Sequence, residues 1–172
     1  MFRNILVSID GSPHAKRALA EAIDIAAASR ARLTILTAIP KPAGWICTPM
    51  TACASGQMAI DFERESIGIL QNAVDSVPDD VPVTKILTHD PVREALLHQT
   101  ETGTYDLLVL GSRGRGGLTA SLLGSVSHHV LNHCKIPVLI VHEEGEQTTA
   151  PSEPLEAPST AAPRGKVAIS PS

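Results

Sequence analysis

The chain has 172 residues and a formal net charge of −4, and its composition is 43% hydrophobic but only 2% aromatic. This length fits one well-buried domain with an aliphatic core and is too short for two ordinary domains. The acidic balance argues against a general nucleic-acid-binding protein, which would need clustered positive charge. The sequence shows no run of about 18 apolar residues and no signal-peptide pattern at Met1, so we expect a cytoplasmic protein that does not enter a membrane.

Two predicted strands with a helix between them occupy the first part of the chain. Residues 4–9 form an apolar, β-branched run that is typical of a central parallel strand. Ser12 and Pro13 then supply an N-cap and a first helical residue. Residues 33–39 form the second predicted strand. The helix between the strands is predicted from small apolar residues that recur with a period of about 3.6: Ala15, Ala18, Leu19, Ala22, Ile23 and Ala26.

An irregular segment in the middle of the chain is followed by a helix, a strand and another helix. Residues 40–56 hold three prolines and two of the three cysteines, so we expect a surface excursion there. Residues 81–88 form the third predicted strand. Asp90 and Pro91 predict the N-cap and first turn of a helix that ends near residue 102. The helix between the irregular segment and the third strand begins near residue 57. Its predicted apolar face consists of Ile67, Leu70, Val74 and Val77.

The last two predicted strands are separated by a glycine-rich loop and a helix. Residues 106–110 have the apolar composition of a strand that is buried on both faces. A helix is predicted at residues 125–134 and a final strand at residues 138–141. Beyond residue 143, Pro, Ser, Thr, Ala and Glu dominate and no period is visible. We therefore expect one folded domain at residues 1–143 and a disordered tail at residues 144–172.

The regular alternation of strands and helices predicts the fold class. It indicates an α/β protein with a five-stranded, parallel, doubly wound (Rossmann-like) sheet and helices on both faces. In such sheets a ligand sits beyond the carboxyl ends of the strands, at the point where the strand order reverses. For the strand order 3-2-1-4-5, this point lies between the first and fourth strands. The loops after these two strands are therefore the candidate site.

The loop after the fourth strand combines glycines with a predicted helix start. Gly111 and Gly114 are separated by two residues, and nine residues separate Gly114 from the pair Gly124 and Ser125. Glycines let a phosphate approach the backbone closely, and a helix N-terminus offers unpaired N–H groups to an anion. We therefore expect a phosphate-binding site, although a bare surface turn without a ligand would show the same glycines.

At these residues the chain resembles the universal stress protein family. The nucleotide-binding subset of that family carries the pattern G-x2-G-x9-G-[S/T], and every fixed position of it is matched here. The opening segment at residues 5–12, the segment at residues 106–111 and the closing segment at residues 137–141 also fit the family pattern. The resemblance covers residues 1 to about 142. It implies an ATP-binding α/β domain that forms a homodimer through its last strand.

The resemblance also implies roles for individual residues. Asp10 would lie near the ribose and a divalent ion, Mg²⁺, that accompanies the nucleotide; the alternative is that Asp10 only forms a turn through its side chain. The backbone of Ala38 would meet the adenine edge. Arg113 and Arg115 are positioned to add positive charge, although the family does not fix them, and solvated loop arginines are an equal alternative. The phosphates would be held by the loop and the helix start, at Gly111, Gly114, Gly124, Ser125 and Val126, with Ser127 nearby.

Several other polar residues in the chain can be explained by a structural role as well as by a functional one. His89 stands where the family usually has glycine, and its side chain would narrow the adenine pocket or reach the ligand. His129 and His133 have a spacing that can bind zinc from one helical face, but a polar helix face explains them better. Cys47 and Cys53 lack flanking cationic residues that would mark a reactive thiol. Asp10, a weak candidate, is the only base that the sequence offers for ATP hydrolysis.

These features predict a sensor or regulator in a stress response rather than a turnover enzyme. The resemblance implies ATP binding with slow hydrolysis at most or self-phosphorylation, for which Ser125 or Ser127 would be the nearest acceptor, and an unidentified protein partner. A nucleotide-free interaction module that works through the excursion and the tail is the main alternative. A nucleotide-activating enzyme of a related superfamily would carry SGGxDS, HIGH and KMSKS signatures, which the sequence lacks.

Overall fold

A computed structural model describes residues 1–40, 52–115 and 123–142, without the side chains of residues 52–55. The predicted tail and most of the predicted excursion lie outside these residues. Strands and helices follow one another along the chain as β1 (Asn4–Ser8), α1 (Pro13–Ser29), β2 (Arg32–Ala38), α2 (Ala52–Asp75), β3 (Val83–Thr88), α3 (Val92–Thr102), β4 (Leu107–Gly111), α4 (Ser125–His133) and β5 (Val138–Val141).

The sheet confirms the predicted topology. Its five strands are all parallel and lie in the order β3-β2-β1-β4-β5. β1 is central, and its residues Ile5, Leu6 and Val7 are 0% exposed. A strand covered on both faces needs apolar residues at every position, which explains the continuous apolar run that predicted it.

Helices cover both faces of the sheet, as predicted. On one face, Ile5 and Val7 pack in a core cluster with residues of α1 and α2. On the other face, Leu6 packs with Leu96 of α3 and Val130 of α4. Two of the described helices pack on each face, and the loops at the carboxyl ends of the strands lie outside these helix layers.

The N-terminus of α2 differs from its prediction. The helix begins at Ala52, whereas periodicity placed its start near residue 57. The prediction gave too much weight to Gly56, since a single glycine lowers helix stability without ending a helix. Ile67 was also placed wrongly in the buried face, because it is 49% exposed while Ser66, Leu70 and Ala73 are buried.

The start of α3 also differs from its prediction. The N-cap position is Pro91, and no side chain caps the helix. Asp90 forms a turn with Thr88 instead, in which the Asp90 N–H donates to Thr88 Oγ1 at 3.1 Å. The Asp-Pro pair thus forms a turn before the helix, which removes the predicted cap. By contrast, Ser12 caps α1 as predicted, since its Oγ accepts a hydrogen bond from Ala15 N.

None of the helices in the described part of the chain is both long and apolar enough to cross a membrane.

Candidate functional site at the carboxyl ends of β1 and β4

A cavity of about 590 Å³ opens where the order of the sheet strands reverses. Its volume lies within the usual range for small-molecule sites, about 300–1,000 Å³. The loops after β1 and β4, the end of β2 and the N-termini of α3 and α4 enclose it. Apart from His89, the cavity brings together the residues that the sequence placed in a binding site: Asp10, Ala38, Gly111, Arg113, Gly114, Gly124, Ser125, Val126 and Ser127.

The N-terminus of α4 forms the polar end of this cavity. Gly124 occupies the N-cap position with φ −67° and ψ 160°, and no side chain caps the helix. The first-turn N–H groups of Ser125, Val126 and Ser127 have no partner within the helix, because the first N–H groups of an α-helix never do. α1 differs, since Ser12 caps it. The uncapped start of α4 therefore has the geometry that favours an anion.

Apolar side chains form the other end of the cavity. They come from the end of β2 and the start of α3, and are Ile39, Pro40, Pro91 and Val92. Sequence reasoning missed these residues because no motif marks them. They give the cavity an apolar surface on which a flat, weakly polar group can pack.

The backbone of Ala38 lies at the apolar end. The β1–β2 ladder closes with the bond from Ile9 N to Leu36 O, at 2.9 Å. Amide groups two residues apart point to the same side of a strand, so the N–H and C=O of Ala38 point past the end of β1. The amide of Ile39 points the other way and donates to Thr88 O. Ala38 thus offers one donor and one acceptor to the cavity.

Two of the loop glycines are required by contacts within the protein. A Cβ at Gly111 would lie 2.7 Å from the carbonyl carbon of His14, at the start of α1. A Cβ at Gly114 would lie 2.7 Å from Asp10 Oδ2. Each position therefore needs glycine for the loop to approach its neighbour, whether or not a phosphate is bound.

The carboxylate of Asp10 joins the two loops of the site. Its Oδ1 accepts a hydrogen bond from Ser12 N at 2.9 Å, and its Oδ2 accepts one from Arg115 N at 3.0 Å. Each carboxylate oxygen can accept a second interaction, so Asp10 retains capacity for a cation. Mg²⁺ is usually held by one or two carboxylates together with nucleotide phosphates, and Asp10 fits that pattern. Among the described side chains, no group of three or more candidate ligands surrounds a single point.

Ser125 and Ser127 differ in accessibility. Ser127 is 4% exposed, and its Oγ donates to Gly111 O at 2.9 Å. This bond ties α4 to the end of β4. The side chain of Ser125 is exposed at the mouth of the cavity. If a hydroxyl takes part in chemistry on a bound phosphate, Ser125 is the accessible one.

The two loop arginines and His89 occupy different surroundings. Arg113 and Arg115 both line the cavity. The Arg115 side chain contacts the protein itself, since Nε donates to Asp10 O and Nη2 lies 2.9 Å from Glu65 Oε1 of α2. The sequence gave no signal for Glu65, because no motif links it to the loop. His89 points to α2, with Nε2 3.9 Å from Glu63 Oε1, and does not line the cavity.

The sequence profile and the curated relatives that match this chain come from the same family. The sequence profile described as the universal stress protein family matches residues 1–142. The universal stress protein YxiE of Bacillus subtilis is 34% identical over 149 residues, which cover 82% of this chain and 99% of YxiE. The universal stress protein Rv2005c of Mycobacterium tuberculosis is 30% identical over 142 residues, and the match spans 45% of its length.

Solved structures show the same fold. The universal stress protein UspA from Lactobacillus plantarum superposes with a TM-score of 0.69 at 21% identity, over 81% of this chain and 97% of that protein. A universal stress protein solved in complex with cAMP is 31% identical, with a TM-score of 0.51, over 82% of this chain and 97% of that protein. The family profile, the curated relatives and the fold agree: this chain belongs to the universal stress protein family.

Proposed function

We propose that this protein binds ATP in the cavity between β1 and β4 and acts as a nucleotide-responsive regulator in a stress response. The observation that carries the proposal is the uncapped N-terminus of α4, which lines the same cavity as Asp10 and a set of apolar side chains. This arrangement suits a ligand with an anionic end and a flat end. The 31% identical relative that was solved with cAMP supports an adenine nucleotide as that ligand.

The phosphates bind at the polar end. The N–H groups of Ser125, Val126 and Ser127 donate to phosphate oxygens, and the glycines at 111, 114 and 124 keep the loop close to them. Arg113 adds positive charge. Mg²⁺ enters with the nucleotide and is held by Asp10 and the phosphates.

The adenine ring packs against the apolar side chains that line the cavity, and the backbone of Ala38 recognises it. Its N6 amino group donates to the Ala38 carbonyl, and its N1 accepts from the Ala38 N–H. Guanine has the reverse pattern, with a carbonyl oxygen at position 6 and N1–H beside it. GTP would leave both backbone groups unpaired, and each unpaired group costs about 1–3 kcal/mol, so GTP should bind on the order of 100-fold more weakly.

Binding, rather than turnover, is the proposed activity. Both oxygens of Asp10 already accept loop amides, which supports a role for this carboxylate in holding the loops and the ion rather than in activating water. Hydrolysis, where it occurs, is slow. The proposed assembly is a cytoplasmic homodimer that pairs through β5 and transmits nucleotide occupancy to a protein partner.

Mass analysis of the small molecules released from freshly purified, heat-denatured protein tests the proposal. We expect adenine nucleotides, with ATP among them, and no guanine nucleotides. A matched sample of the Gly124→Asp variant, which places a carboxylate at the phosphate position, should release none. Equal release from the wild type and this variant would show that the nucleotide comes from elsewhere. If the wild-type protein releases no adenine nucleotide and also does not bind added ATP, a nucleotide-free interaction module would be favoured.

A further inference from the structure

We infer that Glu65 on α2 is a positioning residue for the nucleotide site and acts through Arg115. This inference rests on the proposed function, since it concerns how the same site is kept ready for phosphate. Glu65 lies outside the cavity, and its carboxylate would repel a nucleotide phosphate at long range. Its contribution is therefore through the geometry of the loop.

Arg115 makes three contacts that connect three parts of the fold. Its backbone N–H donates to Asp10 Oδ2 at 3.0 Å, and its Nε donates to the Asp10 carbonyl. Its Nη2 lies 2.9 Å from Glu65 Oε1. Among the described residues, Arg115 thus connects the start of the loop after β4 to the end of β1 by two hydrogen bonds and to α2 by one ion pair. We call this arrangement the Asp10–Arg115–Glu65 clip.

The packing around Gly11 brings α2 close to the clip. Gly11 has φ +83°, and a Cβ there would lie 3.0 Å from Ile69 Cδ1 of α2 and 3.5 Å from Arg115 Nη2. Glu65 and Ile69 are four residues apart and therefore lie on the same side of the helix. Arg115 is consequently held between the turn after β1 and one side of α2.

The clip holds the described start of the glycine-rich loop, residues 112–115, in place. Arg115 directly follows Gly114, which approaches Asp10 closely, so the backbone and side-chain contacts of Arg115 hold this part of the loop over Asp10. A loop that is already placed loses less conformational freedom when a ligand binds. The side chains of Arg115 and Glu65 are 37% and 54% exposed, and an exposed pair of this kind changes an equilibrium by about two- to five-fold.

Removal of Glu65 separates this inference from simple electrostatics. If Glu65 acts only as a nearby negative charge, Glu65→Ala reduces repulsion and strengthens ATP binding. If it positions Arg115, the same substitution weakens ATP binding. Glu63→Ala is the matched control, because Glu63 is on the same helix, is similarly exposed at 46%, and contacts His89 rather than the loop.

The experiment is calorimetric titration of ATP–Mg²⁺ into the wild type, Glu65→Ala, Glu63→Ala, Arg115→Ala and the double variant Glu65→Ala/Arg115→Ala. We expect Kd to rise about two- to five-fold for Glu65→Ala and to stay level or fall slightly for Glu63→Ala. In the Arg115→Ala background, Glu65→Ala should cause no further weakening, since its only route to the loop is gone. Circular dichroism confirms that each variant is folded.

Equal effects of Glu65→Ala and Glu63→Ala would overturn the inference and leave ATP binding intact. Weakening by Glu65→Ala of the same size with and without Arg115 would also overturn it, because Glu65 would then act by another route. A folded wild-type protein that does not bind ATP would overturn both the proposed function and this inference.

Discussion

Gly114 shows how one missing side chain serves both the fold and the site. The Gly114→Ala substitution places a Cβ 2.7 Å from Asp10 Oδ2, so the loop or the carboxylate must move. We expect a loss of about 1–3 kcal/mol in the free energy of unfolding, together with weaker ATP binding. Chemical denaturation and calorimetric titration measure the two effects.

Gly68→Ala is the control for that experiment. Gly68 lies within α2, and a Cβ there meets no atom within 4 Å. Alanine should therefore stabilise the protein by about 0.5–1 kcal/mol through helix propensity and leave Kd unchanged. A destabilised Gly68→Ala, or an unaffected Gly114→Ala, would contradict the contacts described at these positions.

Thr37 on β2 is the second informative position at the scale of single residues. It is 1% exposed, and its Oγ1 is the only buried side-chain oxygen or nitrogen without a partner among the described residues. Thr37→Val removes this unpaired hydroxyl and keeps the shape. We expect the free energy of unfolding to rise by about 1 kcal/mol in urea denaturation.

Thr100→Val serves as the comparison, because the Thr100 hydroxyl donates to Leu97 O at 2.9 Å. Loss of this bond should lower stability or leave it unchanged. A drop in stability for Thr37→Val would mean that its hydroxyl has a partner in solution.

At the scale of elements, the N-terminus of α4 allows stability and binding to be changed in opposite directions. In the Gly124→Asp variant, the new carboxylate caps the helix and interacts favourably with its dipole. It also occupies the phosphate position and repels the ligand. We expect stability to rise by about 0.5–1 kcal/mol and ATP binding to be lost.

Gly124→Ser is the neutral control, since serine caps the helix without adding charge. A Cβ at this position meets its nearest atoms at 3.4 Å, which is an ordinary contact. Gly124→Ser should weaken ATP binding far less than Gly124→Asp. Retained binding by a folded Gly124→Asp variant would exclude the helix start as the phosphate site.

The elements also show what the sequence could predict and why the rest escaped it. Local chemistry identified the cap at Ser12, the buried run of β4 and the start of α4, because each is determined by adjacent residues. It failed at Asp90, where a competing turn with Thr88 decides the geometry. The contact of Glu65 could not be predicted from the sequence, because its partner Arg115 is 50 residues away and only the folded chain brings the two together.

At the scale of the whole molecule, β3 and β5 are the two edge strands of the sheet among the described residues. On β5, the amides of Leu139 and Val141 face β4, so those of Val138 and Ile140 face outward. Ile140→Pro therefore removes an outward N–H and keeps the β4–β5 ladder. If the homodimer pairs through β5, this variant should be monomeric and still folded in analytical ultracentrifugation.

Lys85→Pro tests the opposite edge in the same way. The β2–β3 register directs the amide of Lys85 away from β2, so proline removes an outward N–H there as well. We expect this variant to keep the oligomeric state of the wild type. A dimer that survives Ile140→Pro and dissociates with Lys85→Pro would place the interface on β3.

The fold as a whole places the start of α4, the backbone of Ala38 and the carboxylate of Asp10 around one cavity, and the account depends on that cavity binding ATP. Calorimetric titration of ATP–Mg²⁺ into nucleotide-stripped wild-type protein tests this most directly. The account predicts saturable binding at one site per chain, with GTP on the order of 100-fold weaker. A folded protein that gives no saturable heat with ATP, or that binds GTP equally well, would contradict it.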